Sequence, residues 1–214
     1  MKALIFDLDG VLVFTDKFHY QAWKKTADKL GIYFDETFNN RLRGISRAES
    51  LEIILERYNG KLSAEEKSAL MEEKNNTYKK LLEKMSSADV ADEVRLTLNI
   101  LRQRGYKLAV GSSSKNTKLI LEKVKLCDMF DAVSDGNNIT RSKPDPEVFL
   151  KAASFLGAAP RDCAVVEDAV AGIDAAKAAD MTAIGIGDAA SYEKTDYSIC
   201  SFTEILDIIK GEAQ

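Results

Sequence analysis

The sequence predicts an α/β protein, a doubly wound parallel sheet with an inserted helical cap domain. Three observations predict it. The chain opens with an apolar run, Ala3-Leu4-Ile5-Phe6, which has no polar alternation and therefore indicates a strand buried on both faces. After residue 89, short apolar runs alternate with helical stretches, as in sheets whose strands are joined by crossover helices. Between these two parts, the chain is almost wholly helical in pattern.

The helical stretch, residues 16–87, contains no proline and is divided by helix start and stop signals. Phe18 to Leu30 carries apolar residues at helical spacing, and Gly31 stops that helix. Ser46-Arg47-Ala48-Glu49 and Ser63-Ala64-Glu65-Glu66 are capping boxes, each of which opens a further helix.

The rest of the chain supplies the remaining strands and the helices between them. The predicted strands are Lys107–Gly111, Asp131–Val133, Cys163–Val166 and Thr182–Ile186, and the predicted helices are Val90–Arg104, Asn116–Leu126, Pro144–Leu156 and 169–179. We therefore predict a core domain of residues 1–15 and 88–214. A cap domain, residues 16–87, is joined to it by hinges near Phe14-Thr15 and Ala88-Asp89.

Composition and charge restrict the class of protein. The chain is 45% hydrophobic and 30% charged, an ordinary balance for a soluble globular protein. No apolar stretch approaches the roughly 18 residues of a membrane span, and Met1-Lys2 leads into the strand without a signal-peptide pattern. The net charge of −4 argues against nucleic acid or an anionic membrane as a partner. No exposed apolar stripe is evident, so we expect a monomer.

The cysteines indicate a reducing compartment. Cys127, Cys163 and Cys200 are odd in number, widely spaced and without a CxxC pair. We interpret them as reduced cysteines of a cytoplasmic protein, neither metal ligands nor disulfide partners.

Chemically reactive side chains follow several predicted strands. Asp7 and Asp9 come directly after the first strand, and Ser112, Lys143 and Glu167-Asp168 end or follow later ones. The carboxyl ends of parallel strands meet at one sheet edge, so we expect these residues to converge. Two neighbouring carboxylates are costly to ionise together unless a cation or a proton is shared. The pair therefore suits a metal-assisted reaction in which one carboxylate attacks and the other moves protons.

Together these segments resemble the four motifs of the haloacid dehalogenase superfamily of phosphoryl-transfer enzymes. The matching segments are Phe6-Asp7-Leu8-Asp9-Gly10-Val11, Ser112, Lys143-Pro144-Asp145-Pro146 and Val166-Glu167-Asp168. The resemblance implies that superfamily's Rossmannoid core and Mg²⁺ as cofactor. It implies Asp7 as the nucleophile that forms an aspartyl phosphate, and Asp9 as the general acid/base. Ser112 and Lys143 would bind the phosphoryl oxygens, and the metal ligands would be Asp7, the backbone carbonyl of Asp9, Glu167 and Asp168.

The cap carries a second set of candidate residues. His19 and Trp23 lie four residues apart on one helix face. Arg47 falls in the first turn of its helix, where the dipole disfavours a cation, so it suits an anionic ligand better than a surface position. Lys74 lies on an apolar stripe and is expected to face the cleft, although a snorkelling lysine is the alternative. Ser114-Lys115-Asn116 opens a helix with free backbone N–H groups, which suits an anion.

These cap features resemble the β-phosphoglucomutase family in particular. That family interconverts β-glucose 1-phosphate and glucose 6-phosphate through a bound bisphosphate, so hexose phosphates are the implied small-molecule partners. The implied substrate-binding residues are His19, Trp23, Gly44, Ile45, Ser46, Arg47, Lys74, Ser113, Ser114, Lys115 and Asn116. The sequence departs from the family at Phe14, where an aspartate is usual, and at Ala169, where many members have serine.

Two other functions stay open from the sequence. One is a haloacid-dehalogenase-type phosphatase that hydrolyses small sugar phosphates, which would not require a distal anion site at Arg47 and residues 114–116. The other is a non-catalytic sugar-phosphate sensor on the same fold. The presence of Asp7, Asp9, Lys143 and Asp168 argues against the sensor, which needs neither a nucleophile nor an acid/base.

Overall fold

The structure is a computed structural model that describes residues 1–211 of the 214-residue chain. In this part of the chain, six parallel strands form one sheet in the order β3-β2-β1-β4-β5-β6. The strands are β1 (Ala3–Phe6), β2 (Lys107–Gly111), β3 (Ala132–Ser134), β4 (Cys163–Glu167), β5 (Thr182–Ile186) and β6 (Tyr197–Ile199). The doubly wound parallel sheet expected from the sequence is confirmed.

The first strand lies at the centre of the sheet. Leu4 is paired with Leu108 of β2 on one side and with Ala164 of β4 on the other. All four residues of β1 are fully buried, which explains why its sequence has no polar alternation. The strand order reverses between β1 and β4, so a crevice opens beyond the carboxyl ends of these two strands. Asp7 lies at the mouth of that crevice.

Helices cover both faces of the sheet. The helices of the sheet domain are α5 (Asp92–Gln103), α6 (Thr117–Lys123), α7 (Glu147–Leu156), α8 (Val170–Ala178) and α9 (Ile205–Gly211). Leu4 and Phe6 of β1 pack in one apolar cluster with α5, α6 and α9. Ala3 and Ile5 pack in a second cluster with α7 and α8. Alternate residues of β1 therefore pack into two separate hydrophobic cores, one on each face of the sheet.

Residues 16–87, which we call the helical insert, contain α1 (Asp16–Lys29), α2 (Glu36–Asn40), α3 (Arg47–Leu55) and α4 (Ala64–Leu82). Trp23, Phe34 and Leu51 belong to an apolar cluster confined to the insert. The capping boxes at Ser46 and Ser63 are both formed, as predicted. Phe18 and Tyr78 belong instead to the cluster that contains Leu4 and Phe6 of β1. They therefore anchor α1 and α4 to the sheet domain.

Some elements differ from the sequence prediction. The helix predicted from Pro144 begins at Glu147, because the Asp145 side chain accepts a hydrogen bond from the Glu147 N–H and holds a turn before it. The helix predicted from Asn116 begins at Thr117. Three elements, α2, β6 and α9, were not predicted from the sequence. Strand β6 has only three residues, of which two are exposed, so it has no apolar run to reveal it.

All three cysteines are unpaired, with Cys163 buried and Cys127 and Cys200 exposed. This agrees with their interpretation as reduced thiols. Within residues 1–211, no helix is both long enough and apolar enough to cross a membrane.

Candidate active site

A buried lysine joins two carboxylates at the carboxyl edge of the sheet. Lys143 Nζ lies 2.5 Å from Asp7 Oδ1 and also donates a hydrogen bond to Glu167 Oε1. The Lys143 side chain is only 1% exposed. Burial alone would lower the pKa of Lys143, but the charges of Asp7 and Glu167 outweigh it and raise the pKa. Lys143 therefore stays protonated near neutral pH and holds one oxygen of Asp7 in place.

Three carboxylates converge beside this lysine. Carboxylate oxygens of Asp7, Glu167 and Asp168 all lie within 4.8 Å of one another. Burial, followed by the charges of Glu167 and Asp7, raises the pKa of Asp168 to about 8. Burial also raises the pKa of Glu167, although Lys143 opposes the shift. With all three carboxylates ionised, the group would have more negative charge than one lysine neutralises, and a hard divalent cation prefers such oxygen ligands. The residues present therefore fit a metal ion.

Two glycines make room for this acidic group. A Cβ atom on Gly10 would lie 2.1 Å from Asp168 Oδ2, and one on Gly172 would lie 1.9 Å from Glu167 Oε1. Gly10 also has a φ of +91°, which side-chain-bearing residues rarely adopt. Any larger residue at either position would displace an acidic side chain.

The carboxylate of Asp9 is held by Thr15 and not by the acidic group. It accepts a hydrogen bond from the Thr15 hydroxyl, and Thr15 Oγ1 accepts one in turn from Tyr78 Oη at 3.0 Å. Burial, followed by the charge of Asp7, raises the pKa of Asp9 to about 7. A carboxyl group that titrates near neutral pH suits an acid/base role. The metal contact predicted for Asp9 concerns its backbone carbonyl and stays a prediction.

The helical insert presents a buried lysine to the same cleft. Lys74 is 3% exposed, its Nζ lies 3.0 Å from His19 Nδ1, and it lies 4.7 Å from the centre of the Trp23 ring. Burial, followed by the charge of Arg47, lowers the pKa of Lys74 to about 7. Burial and then Lys74 lower the pKa of His19 well below its ordinary value. His19 is therefore neutral, and when Lys74 is charged, His19 Nδ1 accepts the hydrogen bond between them.

Opposite the acidic group, a second set of donors spans the cleft. Arg47 Nη2 donates to Asn75 Oδ1 at 2.8 Å, and Asn116 Nδ2 donates to the same oxygen at 2.9 Å. Ser114 Oγ accepts from the Asn116 N–H at 3.2 Å, which fixes the turn before α6. Arg47 and Asn75 lie on the insert, whereas Asn116 belongs to the sheet domain.

These groups line one cavity of about 740 Å³. Every site residue predicted from the sequence except Glu167 lines it. Glu167 is fully buried, and its two carboxylate oxygens accept hydrogen bonds from Lys143 and from the Ala169 N–H. The structure therefore brings the predicted residues of both parts of the chain together around one space.

The comparisons with known proteins agree with this geometry. Residues 1–180 match the family described as haloacid dehalogenase-like hydrolases. The chain is 44% identical over 190 residues to the beta-phosphoglucomutase of Bacillus subtilis, covering 87% of this chain and 84% of that protein.

The chain belongs to the β-phosphoglucomutase family of the haloacid dehalogenase superfamily.

Other relatives include both named mutases and phosphatases. A crystal structure of beta-phosphoglucomutase from Clostridium difficile superposes with a TM-score of 0.93 at 38% identity, covering 99% of this chain and 96% of that one. A phosphorylated carbohydrates phosphatase of Thermotoga maritima is 31% identical over 188 residues, covering 86% of this chain and 84% of that protein. Membership of the family is consistent with a metal cofactor at the acidic group.

Several polar residues of the family's cleft have local partners here. Ser46 is the N-cap of α3 and accepts a hydrogen bond from the Glu49 N–H. Ser112 Oγ accepts from the Ser114 N–H at 3.2 Å, which leaves the Ser112 proton free to be donated. Ser113 Oγ lies 3.5 Å from the carbonyl oxygen of Gly44, a contact between the sheet domain and the insert.

Arg43 is a cleft residue that was not among the site residues predicted from the sequence. It pairs with Asp16 at the start of α1, and its Nη1 lies 3.1 Å from Asp188 Oδ2 in the loop after β5. Arg43 therefore ties the insert to the sheet domain at the rim of the cavity. Asn75 was also missed, because nothing in its sequence context distinguishes it from the adjacent Asn76.

Proposed function

We propose that this protein is a Mg²⁺-dependent mutase that interconverts β-D-glucose 1-phosphate and D-glucose 6-phosphate through an aspartyl phosphate and a bisphosphate intermediate. One observation carries the proposal: the cavity has an acidic, lysine-braced end at Asp7 and a separate set of anion donors at Arg47 and Asn116. A mutase must hold two phosphates at once, whereas hydrolysis of a monophosphate requires only the first end. The identity to named mutases supports the same choice.

Asp7 is the proposed nucleophile. Lys143 holds Asp7 Oδ1 and leaves Oδ2 for attack on phosphorus. Ser112 donates its hydroxyl proton to a phosphoryl oxygen, and Lys143 neutralises part of the charge on the transferring group. A Mg²⁺ ion held by Asp7, the Asp9 carbonyl, Asp168 and Glu167 would supply further charge neutralisation.

Asp9 is the proposed acid/base. It accepts the proton of a sugar hydroxyl as that oxygen attacks the phosphorus of phosphorylated Asp7, which breaks the bond between phosphorus and the Asp7 oxygen. When the other phosphate passes back to Asp7, Asp9 returns the proton to the departing sugar oxygen. A pKa of about 7 lets one carboxyl group serve in both directions.

The remaining residues position the sugar. Arg47 and residues 114–116 would bind the distal phosphate, with Lys115 as a further cation at the cavity wall. The sugar ring would contact His19, Trp23, Gly44, Ile45, Ser46, Lys74 and Ser113. We further propose that residues 16–87 act as a cap that closes on the core to exclude water from the phosphoenzyme. The expected form is a cytoplasmic monomer.

Phosphorus NMR tests the proposal. The enzyme is mixed with β-glucose 1-phosphate, Mg²⁺ and a trace of β-glucose 1,6-bisphosphate. We expect the glucose 6-phosphate signal to grow at the expense of the substrate signal. Inorganic phosphate as the sole product would replace the mutase with a sugar phosphatase, the activity named for the Thermotoga maritima relative. No reaction with any hexose phosphate would favour a sensor.

A further inference from the structure

The side-chain oxygen of Asn75 is shared by two donors from opposite sides of the cleft. Arg47 Nη2 approaches it from α3 of the insert at 2.8 Å, and Asn116 Nδ2 approaches it from the sheet domain at 2.9 Å. Asn116 is 6% exposed, so its amide has little access to water. One neutral oxygen therefore holds together two donors whose chain positions are 69 residues apart.

These two donors are the ones that the proposed function assigns to the distal phosphate. A phosphate oxygen is a stronger acceptor than a neutral amide oxygen, because its hydrogen bond with Asn116 is charge-assisted and its hydrogen bond with Arg47 joins two opposite charges. An incoming phosphate can therefore replace Asn75 Oδ1 on both donors. Burial lowers the pKa of Arg47, so its charge is poorly solvated and would gain from an anion.

We propose that Asn75 is a positioning residue for the distal anion site. Its amide oxygen keeps the Arg47 and Asn116 donors pointed at one position, and the ligand phosphate takes over these hydrogen bonds on binding. The inference rests on the proposed function for the identity of the ligand. The observation that Arg47 and Asn116 both donate to Asn75 Oδ1 does not depend on that function.

An amide suits position 75 better than a carboxylate does. An aspartate at 75 would form a charge-assisted ion pair with Arg47 and would repel a phosphate. The carboxylate would bind the Arg47 and Asn116 donors too strongly for an incoming phosphate to replace it. Asn76, the next residue on the same helix, is exposed and provides a matched control for the added charge.

The test compares Asn75→Asp with Asn76→Asp. The KM for β-glucose 1-phosphate should rise at least about tenfold in Asn75→Asp and less than about twofold in Asn76→Asp, because only the first charge occupies the donors. Phosphorylation of Asp7 by acetyl phosphate, a donor without a distal phosphate, should stay within about twofold of wild type in both variants. Thermal unfolding checks that both variants fold.

Asn75→Ala provides a second measurement should Asn75→Asp fold poorly. It removes the shared oxygen without adding charge, so its KM should rise by about threefold, less than for Asn75→Asp, with kcat changed less than KM. Equal KM increases in Asn75→Asp and Asn76→Asp would overturn the proposal, since bulk charge would then explain both. A KM within about twofold of wild type for Asn75→Asp, or an equal loss of the acetyl phosphate reaction, would also overturn it. If wild type releases only inorganic phosphate from the sugar, the mutase proposal fails, but the KM comparison still tests Asn75.

Discussion

Tyr78 Oη donates a hydrogen bond to Thr15 Oγ1 across 3.0 Å, and this fixes the direction of the hydroxyl proton on Thr15. Tyr78 is 1% exposed, so its hydroxyl has little access to water. Because Thr15 Oγ1 accepts from Tyr78, its own proton points to Asp9. A side chain of the helical insert therefore controls how the proposed acid/base is hydrogen-bonded.

Tyr78→Phe should move the pH dependence of the reaction. The hydrogen bond from Thr15 lowers the pKa of Asp9, so a Thr15 hydroxyl that is free to rotate away lets that pKa rise above about 7. We expect the acidic limb of the kcat/KM profile to shift upward by about 0.5–1 pH unit. Tyr192→Phe is the control, because it removes a 3.0 Å hydrogen bond to Asp174 away from the cavity. An unchanged acidic limb in Tyr78→Phe would contradict this coupling.

Lys74 should produce the basic limb of the same profile. Its pKa is about 7 because of burial and the nearby Arg47, so it loses its charge as the pH rises through 7. We expect kcat/KM for a hexose phosphate to fall in that range, about tenfold per pH unit at the limit. Lys74→Arg should flatten this limb, since arginine stays protonated. Lys79→Arg, at an exposed position of the same helix, should leave the profile unchanged. A basic limb that persists in Lys74→Arg would assign it to another group.

Lys143→Met should strongly destabilise the fold. Removing the lysine leaves Asp7 and Glu167 buried without their cation, which costs about 3–5 kcal/mol in the free energy of unfolding. Adding Glu167→Gln should recover part of the loss, because one unpaired charge is then removed. Urea unfolding measures both effects.

The matched control for Lys143→Met is Lys177→Met, which breaks a 2.8 Å ion pair with Asp196 at the surface. Such a pair contributes only about 0–1 kcal/mol. Similar losses of unfolding free energy in the two variants would show that burial of Lys143 does not increase its contribution to stability.

Asp168→Asn should stabilise the metal-free protein and abolish its response to Mg²⁺. The pKa of Asp168 is about 8, well above its ordinary value, so the folded state resists ionisation while the unfolded chain does not. Its contribution to stability is therefore lost as the pH rises from about 4 through about 8. The gain in melting temperature should be a few degrees, roughly as expected for a protein of this size, and larger at pH 9 than at pH 5.

Wild type should show a rise in melting temperature in millimolar Mg²⁺ that Asp168→Asn lacks. Asp128→Asn, which removes an exposed carboxylate elsewhere, should behave as wild type does. If Asp168→Asn melted at a lower temperature without metal, the repulsion argument would be wrong.

The central part of the site was predictable because sheet topology places it. Asp7 and Glu167 are 160 residues apart in the chain, yet both end central parallel strands, so the direction of the strands alone brings them to one edge. The role of Lys143 was assigned by resemblance, and the structure places its amine against both carboxylates.

The contacts across the cleft could not be predicted in the same way. The partners of Asn75, Tyr78 and Arg43 depend on how the helical insert packs on the sheet domain, and helical periodicity gives only the face of each helix. Glu167 was predicted as a metal ligand, but its carboxylate oxygens also bind Lys143 and the Ala169 N–H, a detail of tertiary packing. Strand β6 is short and two of its three residues are exposed, so no apolar run predicted it.

The space beside Gly10 and Gly172 sets a limit on how this enzyme can be redesigned. A library that varies acidic residues to change metal preference would alter the groups that bind the ion, yet its success depends on two positions that contribute no side chain. Both should be kept constant in any such library. Directed evolution that randomises whole motifs would otherwise discard most variants before their altered chemistry could be observed.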